Sequence, residues 1–328
     1  MTLRLIFLFI ATLNFIPSRS VFSQSLQEKV IEFDDTRTIL WPKAFELVQI
    51  PGIYNTFQKA YFYKTTSSKP QPLIISLHTW GGSYAQRDEI AQLSTKKNYN
   101  YIHPDFRGPN KTVNACCSEL ALSDIDNAID YAISKGNVDL SKIFVIGVSG
   151  GGFATLNVFM NSKHKIRKFS AWASITDLEK WYSESQAKGN HYWKDISLCT
   201  SGKDGELGLA EAKKRSPIFK ETPIKKLDET KLELYAGVND GVDGSVPFTH
   251  SILFYNKLLK DLKVSDKKYY VSKRDINYLL KFRKPRGDLG KIADRTICLA
   301  KQYKNIKLTI FNGGHEMLTD YAFTQLFN

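Results

Sequence analysis

Apolar positions along the chain follow two rhythms. Short unbroken runs recur at Leu73–Leu77, Tyr101–His103, Ile143–Gly147, Phe169–Ala173, Leu232–Ala236 and Ile306–Phe311. Runs of this kind predict strands buried on both faces. Between them the spacing lengthens. In "ELALSDIDNAIDYAIS", Leu122, Ile125, Ile129 and Ile133 recur at helical intervals, and "FTHSILFYNKLLKDL" has the same rhythm. Strands alternating with helices predict an α/β fold, a mostly parallel central sheet with helices on both faces. The stretch 183–222, from Ser183 to Thr222, is more polar and less periodic, which predicts an insertion or lid between strands. "TTSSKPQP", from Thr65 to Pro72, reads as a short loop, and no repeat divides the chain. Residues 24–328 are therefore expected to form a single domain.

The first residues read as an address. Arg4 precedes the apolar run Leu5–Ile16, and Val21-Phe22-Ser23 offers a cleavage position. This predicts a signal peptide over 1–23 and a secreted or periplasmic protein. The run is short for a membrane span, so no stable span is expected after cleavage. The whole chain has a formal net charge of +13, with 46 basic and 33 acidic residues. Loss of Arg4 and Arg19 leaves 44 basic residues against 33, or +11. A basic excess attracts polyanions, and export makes an acidic glycan a better partner than nucleic acid. The cysteines are Cys116, Cys117, Cys199 and Cys298. Their spacing is not that of a zinc site, and in an exported chain one disulfide is expected.

The candidate chemistry centres on "FVIGVSGGGFATL", residues 144–156. A strand, then Gly-Val-Ser149-Gly-Gly, then a helix is the setting of a nucleophile elbow, which exposes the serine hydroxyl on a sharp turn. In that setting an acid and a histidine follow the serine in chain order. His315 lies in a glycine-rich loop, "NGGHEML", directly after an apolar run; His250 lies at the start of a helix. A base must reach the serine from a loop, so His315 is favoured and His250 is expected to cap or pack its helix. "AGVNDGVDGSVP" supplies Asp240 as the favoured acid, with Asp243 as the alternative. The acid would orient His315 and stabilise its imidazolium. "LIISLHTWGGS" is a strand followed by a glycine-rich loop. There the amide of Trp80, with that of Gly150, can form an oxyanion hole.

These residues resemble the α/β-hydrolase superfamily, and within it the catalytic domain of prolyl oligopeptidase-like enzymes. The likeness runs from Pro72 to the C-terminus. "LHTWGG" is similar to the family's oxyanion loop, with Thr79 in place of a glycine, and "GVSGGG" is similar to its elbow. "AGVNDGVDGSVPFTHS" resembles its acid loop but carries three extra residues between Asp240 and Val246-Pro247. "NGGHE" resembles its histidine loop. The resemblance implies a cofactor-independent serine hydrolase working through an acyl-enzyme. About fifty residues of mature chain before the first hydrolase strand are too few for a propeller on repeat-length arithmetic. The expectation is therefore an esterase acting on an acidic polysaccharide. A prolyl oligopeptidase-type peptidase is one alternative, and a non-catalytic glycan-binding protein on this scaffold is another.

On the substrate side, Arg107 in "HPDFRGPN" can clamp a carboxylate or brace its loop against Asp105. Trp193, with Trp80, Trp181 and Tyr192, can stack on sugar rings or pack. "KRDINYLLKFRKPRG" reads first as a solvated helix face. Cys116 and Cys199 both belong to segments that follow strands ending at the active-site edge. A Cys116–Cys199 bridge is expected, with Cys117–Cys199 as the alternative and Cys298 a buried thiol.

Overall fold

The computed structural model describes residues 30–32 and 36–328. The proposed signal peptide, 1–23, lies outside the described residues. The strands, in chain order, are β1 (Val30–Glu32), β2 (Glu46–Pro51), β3 (Phe57–Tyr63), β4 (Gln71–Leu77), β5 (Asn100–Pro104), β6 (Val138–Val148), β7 (Lys168–Trp172), β8 (Lys231–Gly237), β9 (Lys291–Ile292), β10 (Arg295–Tyr303), β11 (Ile306–Phe311) and β12 (Glu316–Leu318). The helices are α1 (Glu89–Lys96), α2 (Glu119–Lys135), α3 (Gly150–Asn161), α4 (Leu178–Lys188), α5 (Tyr192–Ser201), α6 (Leu209–Arg215), α7 (Thr249–Asp261), α8 (Lys273–Phe282) and α9 (Thr319–Gln325).

Ten strands form one sheet in the order β2-β3-β5-β4-β6-β7-β8-β11-β10-β9. From β5 to β11 neighbouring strands run parallel. Antiparallel strands extend both sides: β3 and β2 beyond β5, β10 and β9 beyond β11. The six parallel strands are the six apolar runs, because each is covered on both faces. Successive residues of β4 point to opposite sides. Leu73, Ile75 and Leu77 join a core with α2, α3 and α7, whereas Ile74 joins one with α1 and α9. This is the mostly parallel, helix-covered sheet that the alternation predicts, and the arrangement that the resemblance to α/β-hydrolases implies.

The insertion between β7 and β8 differs in extent and in character from the expected 183–222. Helix begins at Leu178, and α4, α5 and α6 pack on one another. Their rhythm is weak because each helix is short and bonds its neighbours through polar groups. Asp177 caps α4 by accepting from the Lys180 amide, and α4 and α5 both end on left-handed glycines, Gly189 and Gly202. Among the described residues no helix is long and apolar enough to cross a membrane.

Candidate active site

Parallel strands end together, so their loops share one edge of the sheet. That edge carries the loop after β4 (His78 to Gly82), Ser149 after β6, Asp240 after β8 and His315 after β11.

Ser149 sits between β6 and α3 with φ 58° and ψ −119°. A side chain held at positive φ is strained and is maintained only by its surroundings. Here the Ser149 amide donates to the Trp172 carbonyl of β7 at 2.9 Å, and the Ser149 carbonyl accepts from the Phe153 amide at 2.9 Å. The turn is thus pinned to the sheet on one side and to the helix on the other. Gly150, the first residue of α3, must be glycine: a Cβ there would lie 2.3 Å from the Trp80 nitrogen. The same closeness puts the Trp80 and Gly150 amides side by side next to Ser149. Neither amide donates to another group among the described residues, the arrangement an oxyanion hole requires.

Asp240 is 1% exposed and His315 is 5% exposed. The Nδ1 of His315 donates to Asp240 Oδ2 at 2.7 Å. Asp240 Oδ1 accepts from the amides of Gly241 at 2.8 Å and Val246 at 3.1 Å. The acid loop therefore folds over its own carboxylate. The three extra residues form the outside of this turn, with Val242 and Asp243 at its exposed tip. Asp240 is bonded to the histidine, and Asp243 points away at the loop tip. Gly244 lies beneath the pair, where a Cβ would stand 2.4 Å from His315 Cβ and 2.5 Å from Asp240 Oδ1. Any side chain at 244 would separate acid from histidine.

His250 is also buried and also meets a carboxylate. Its Nδ1 accepts from the Thr176 amide at 3.1 Å, so its N–H sits on Nε2, which faces Glu184 Oε2 at 2.9 Å. Burial raises the Glu184 carboxyl, but hydrogen bonds from His250 and Lys180 outweigh it and hold the group below the ordinary glutamate value. The pair joins α7 to α4, in keeping with a packing histidine. Burial pushes the Cys117 thiol up to about 12 and that of Cys298 up to about 11, which removes both as nucleophiles at neutral pH.

The structure joins Cys116 to Cys199 and leaves Cys117 and Cys298 as buried thiols. The insertion is also held to the acid loop. Trp181 Nε1 donates to the Ser245 carbonyl at 2.9 Å, and Lys188 Nζ donates to the Gly244 carbonyl at 2.7 Å. α4 thus acts as a brace for the acid loop.

Arg107 and three of the four aromatic candidates are engaged by the protein itself. Arg107 braces its loop: its Nε pairs with Asp124 Oδ2 at 2.6 Å, and its NH2 nitrogen donates to Asp124 Oδ1 and Thr56 Oγ1. The brace runs to α2 and not to Asp105, which accepts from the Tyr84 amide instead. Trp80, Trp181 and Tyr192 are buried and pack ring to ring, with centroids at 4.8 and 5.0 Å, so they offer no face to a sugar. Trp193 lines a hollow with Gln186, Gly189, Asn190, His191 and Lys194.

One positioning residue escaped the sequence reading. Asn110, 1% exposed, ends the same "HPDFRGPN" segment in which Arg107 drew notice. Its backbone amide donates to the Trp80 carbonyl at 2.9 Å and its Nδ2 does so at 3.2 Å. An asparagine after proline in a glycine-containing loop is a turn signal, which was the available clue.

A model described as the prolyl oligopeptidase family matches residues 85–273. Acylamino-acid-releasing enzyme 1 of Oryza sativa subsp. japonica is 25% identical over 265 residues, covering 71% of this chain and 32% of that protein. Acylamino-acid-releasing enzyme 2 of the same plant is 22% identical, covering 61% of this chain and 27% of that protein. The chain therefore spans about a third of the length of the curated relatives it matches. Among solved structures, Pyrococcus horikoshii acylaminoacyl peptidase superposes with a TM-score of 0.53 at 19% identity, covering 67% of this chain and 36% of that one. Oligopeptidase B from Leishmania major gives 0.54 at 15% identity, covering 86% of this chain and 36% of that one. At these identities the superpositions show a shared fold.

Proposed function

The chain belongs to the prolyl oligopeptidase family, and we propose that it is a serine peptidase releasing acylated amino acids or short fragments from small peptides. The observation that carries the catalytic part is the His315–Asp240 hydrogen bond on the same sheet edge as the strained Ser149 and the paired Trp80 and Gly150 amides. Ser149 Oγ attacks the scissile carbonyl and His315 Nε2 takes the hydroxyl proton. Asp240 holds the ring with its N–H on Nδ1 and stabilises the imidazolium that forms. The carbonyl oxygen, now an alkoxide, meets the Trp80 and Gly150 amides. His315 returns its proton to the leaving amine. A water molecule, deprotonated by the same nitrogen, then releases the acyl group from the serine.

The substrate part rests on the names of the rice relatives and on the family. The acidic-glycan esterase expected from charge loses its proposed clamp, since Arg107 is held by Asp124. Export remains part of the proposal, supported by a disulfide, which persists in oxidising compartments. The test is a substrate panel read as kcat/KM: N-acetyl-alanyl p-nitroanilide, an N-acetylated tripeptide, p-nitrophenyl acetate and methyl-esterified polygalacturonate. The proposal expects the acylated peptides to be cleaved and the polymer to be untouched. Methanol release from the polymer without peptide cleavage would overturn it in favour of the esterase.

A further inference from the structure

We infer that Asn110 and the Cys116–Cys199 disulfide form a closed ring that aims the Trp80 amide, so that Asn110 is a positioning residue for the oxyanion hole. The inference rests on Trp80 serving as an oxyanion donor.

The ring can be followed bond by bond. Asn110 gives the Trp80 carbonyl two hydrogen bonds, at 2.9 Å from its backbone amide and 3.2 Å from Nδ2. Its remaining side-chain atom, Oδ1, accepts from the Cys116 amide at 2.7 Å. Cys116 is bonded through sulfur to Cys199 of α5, 83 residues away in sequence. One helical turn before Cys199, and therefore on the same face of α5, stands Asp195. Asp195 Oδ2 accepts from Trp80 Nε1 at 3.2 Å, which returns the path to its origin. Trp80 is thus held at its carbonyl and at its indole by the two ends of one cross-linked unit.

The arrangement is costly unless it has a task. Cys116 takes φ 51° and Cys117 φ 52°, left-handed conformations that are uncommon for residues other than glycine and cost conformational energy. Asn110 is buried with both ends of its amide committed, and burial raises the Asp195 carboxyl above its usual value. What these groups fix in common is the orientation of the Trp80 backbone. The peptide unit that carries the Trp80 N–H is fixed on its other side: its carbonyl, on Thr79, lies 2.8 Å from His78 Nδ1 and accepts from the Gly82 amide at 3.1 Å, while Asn110 holds the unit that follows. A donor aimed at a developing charge must be in place before the reaction begins. The Trp80 loop follows a strand end and has no helix to hold it, so the disulfide-bonded ring supplies the rigidity that α3 supplies to Gly150.

The experiment compares four proteins with the wild type: Asn110→Ala, Asn110→Asp, the Cys116→Ser/Cys199→Ser pair and Ser149→Ala. Each is assayed on N-acetyl-alanyl p-nitroanilide and p-nitrophenyl acetate. Each is also titrated with phenylboronic acid, whose tetrahedral adduct on the serine places an oxygen in the hole. Asn110→Asp keeps the acceptor for the Cys116 amide and lacks the Nδ2 donor. Removing one oxyanion donor outright costs ~10²–10³ in kcat, so misaiming it is expected to cost about tenfold. The expected result is that fall in kcat for both Asn110 variants and the cysteine pair, with KM within about twofold and boronate affinity falling by the same factor. Reduction of folded wild type, followed as a rise from two to four thiols, supplies the same comparison without a mutation. Unchanged kcat in the reduced protein or in Asn110→Asp, or kcat and boronate affinity moving independently, overturns the ring. An active Ser149→Ala protein would overturn the serine reading instead, and the two failures are separately visible.

Discussion

Two buried histidines in this molecule, His250 and His315, each face a carboxylate at hydrogen-bonding distance, and of the two it is His315 that stands in a loop on the sheet edge carrying Ser149. His250 meets Glu184 through Nε2 and the Thr176 amide through Nδ1, so both ring nitrogens serve the packing of α7 against α4. His315 gives Nδ1 to Asp240 and stands in a loop at the edge where Ser149 lies. The difference shows that a His–carboxylate contact carries little functional information by itself. What matters is which nitrogen the acid occupies and whether the backbone is a helix or a loop. His250, in the first turn of α7, cannot be moved without moving the helix. His315 is carried by the loop after β11, and the absence of a side chain at Gly244 leaves room for its Cβ, which a Cβ at 244 would approach to 2.4 Å.

The sharpest way to break this comparison is to exchange the losses. His315→Ala is expected to lower kcat by ~10⁴-fold or more on the N-acetyl-alanyl anilide, because serine and base act as one unit. Its melting temperature should change little beside that loss. His250→Gln should do the reverse, and a His250 variant as inactive as the His315 variant would show that the two roles were assigned the wrong way round.

The acid is the next test. Asp240→Asn should reduce kcat by ~10³–10⁴-fold through the wrong tautomer of His315. Asp243→Asn, at the exposed tip of the same loop, should stay within about twofold of wild type. Equal losses would mean that the loop rearranges to present either acid.

His250→Gln tests the structural half. Its removal leaves Glu184 without its buried partner, a change worth about 1–3 kcal/mol of stability. Chemical denaturation should show that loss as a lower midpoint at unchanged slope, while kcat stays within about threefold of wild type.

The smallest effect is a pH dependence. The Glu184 carboxyl is held below its unfolded value, so its contribution to stability is present above the ordinary glutamate value and is lost as pH falls through the lower, folded value. Between about pH 5 and pH 3 the wild type should therefore lose more melting temperature than Glu184→Gln. Parallel curves would remove the pair from the stability account.

The sequence was most readable where burial was complete. The six parallel strands are continuous apolar runs because helices cover both sides, and Ser149, Asp240 and His315 follow three of their ends. The antiparallel edges escaped notice. β2 alternates exposed and buried positions and β10 mixes them, so neither forms a run that stands out from a loop. The partner of the Arg107 brace was missed for a related reason. That partner, Asp124, lies on the buried face of α2, and an ion pair between distant segments leaves no local pattern. Asn110 was overlooked for the same reason, since two bonds to a backbone carbonyl thirty residues away depend on loop geometry alone.

Fluorophosphonate labelling tests the central claim most directly. The reagent is attacked by an activated serine and requires both the base and the oxyanion hole, but no knowledge of the substrate. Native protein should gain one phosphonyl group, mapped by peptide mass spectrometry to the peptide carrying Ser149. Labelling should vanish in His315→Ala and persist in His250→Gln. An unlabelled folded protein, a label on another residue, or labelling that depends on His250 and not on His315 would contradict the account.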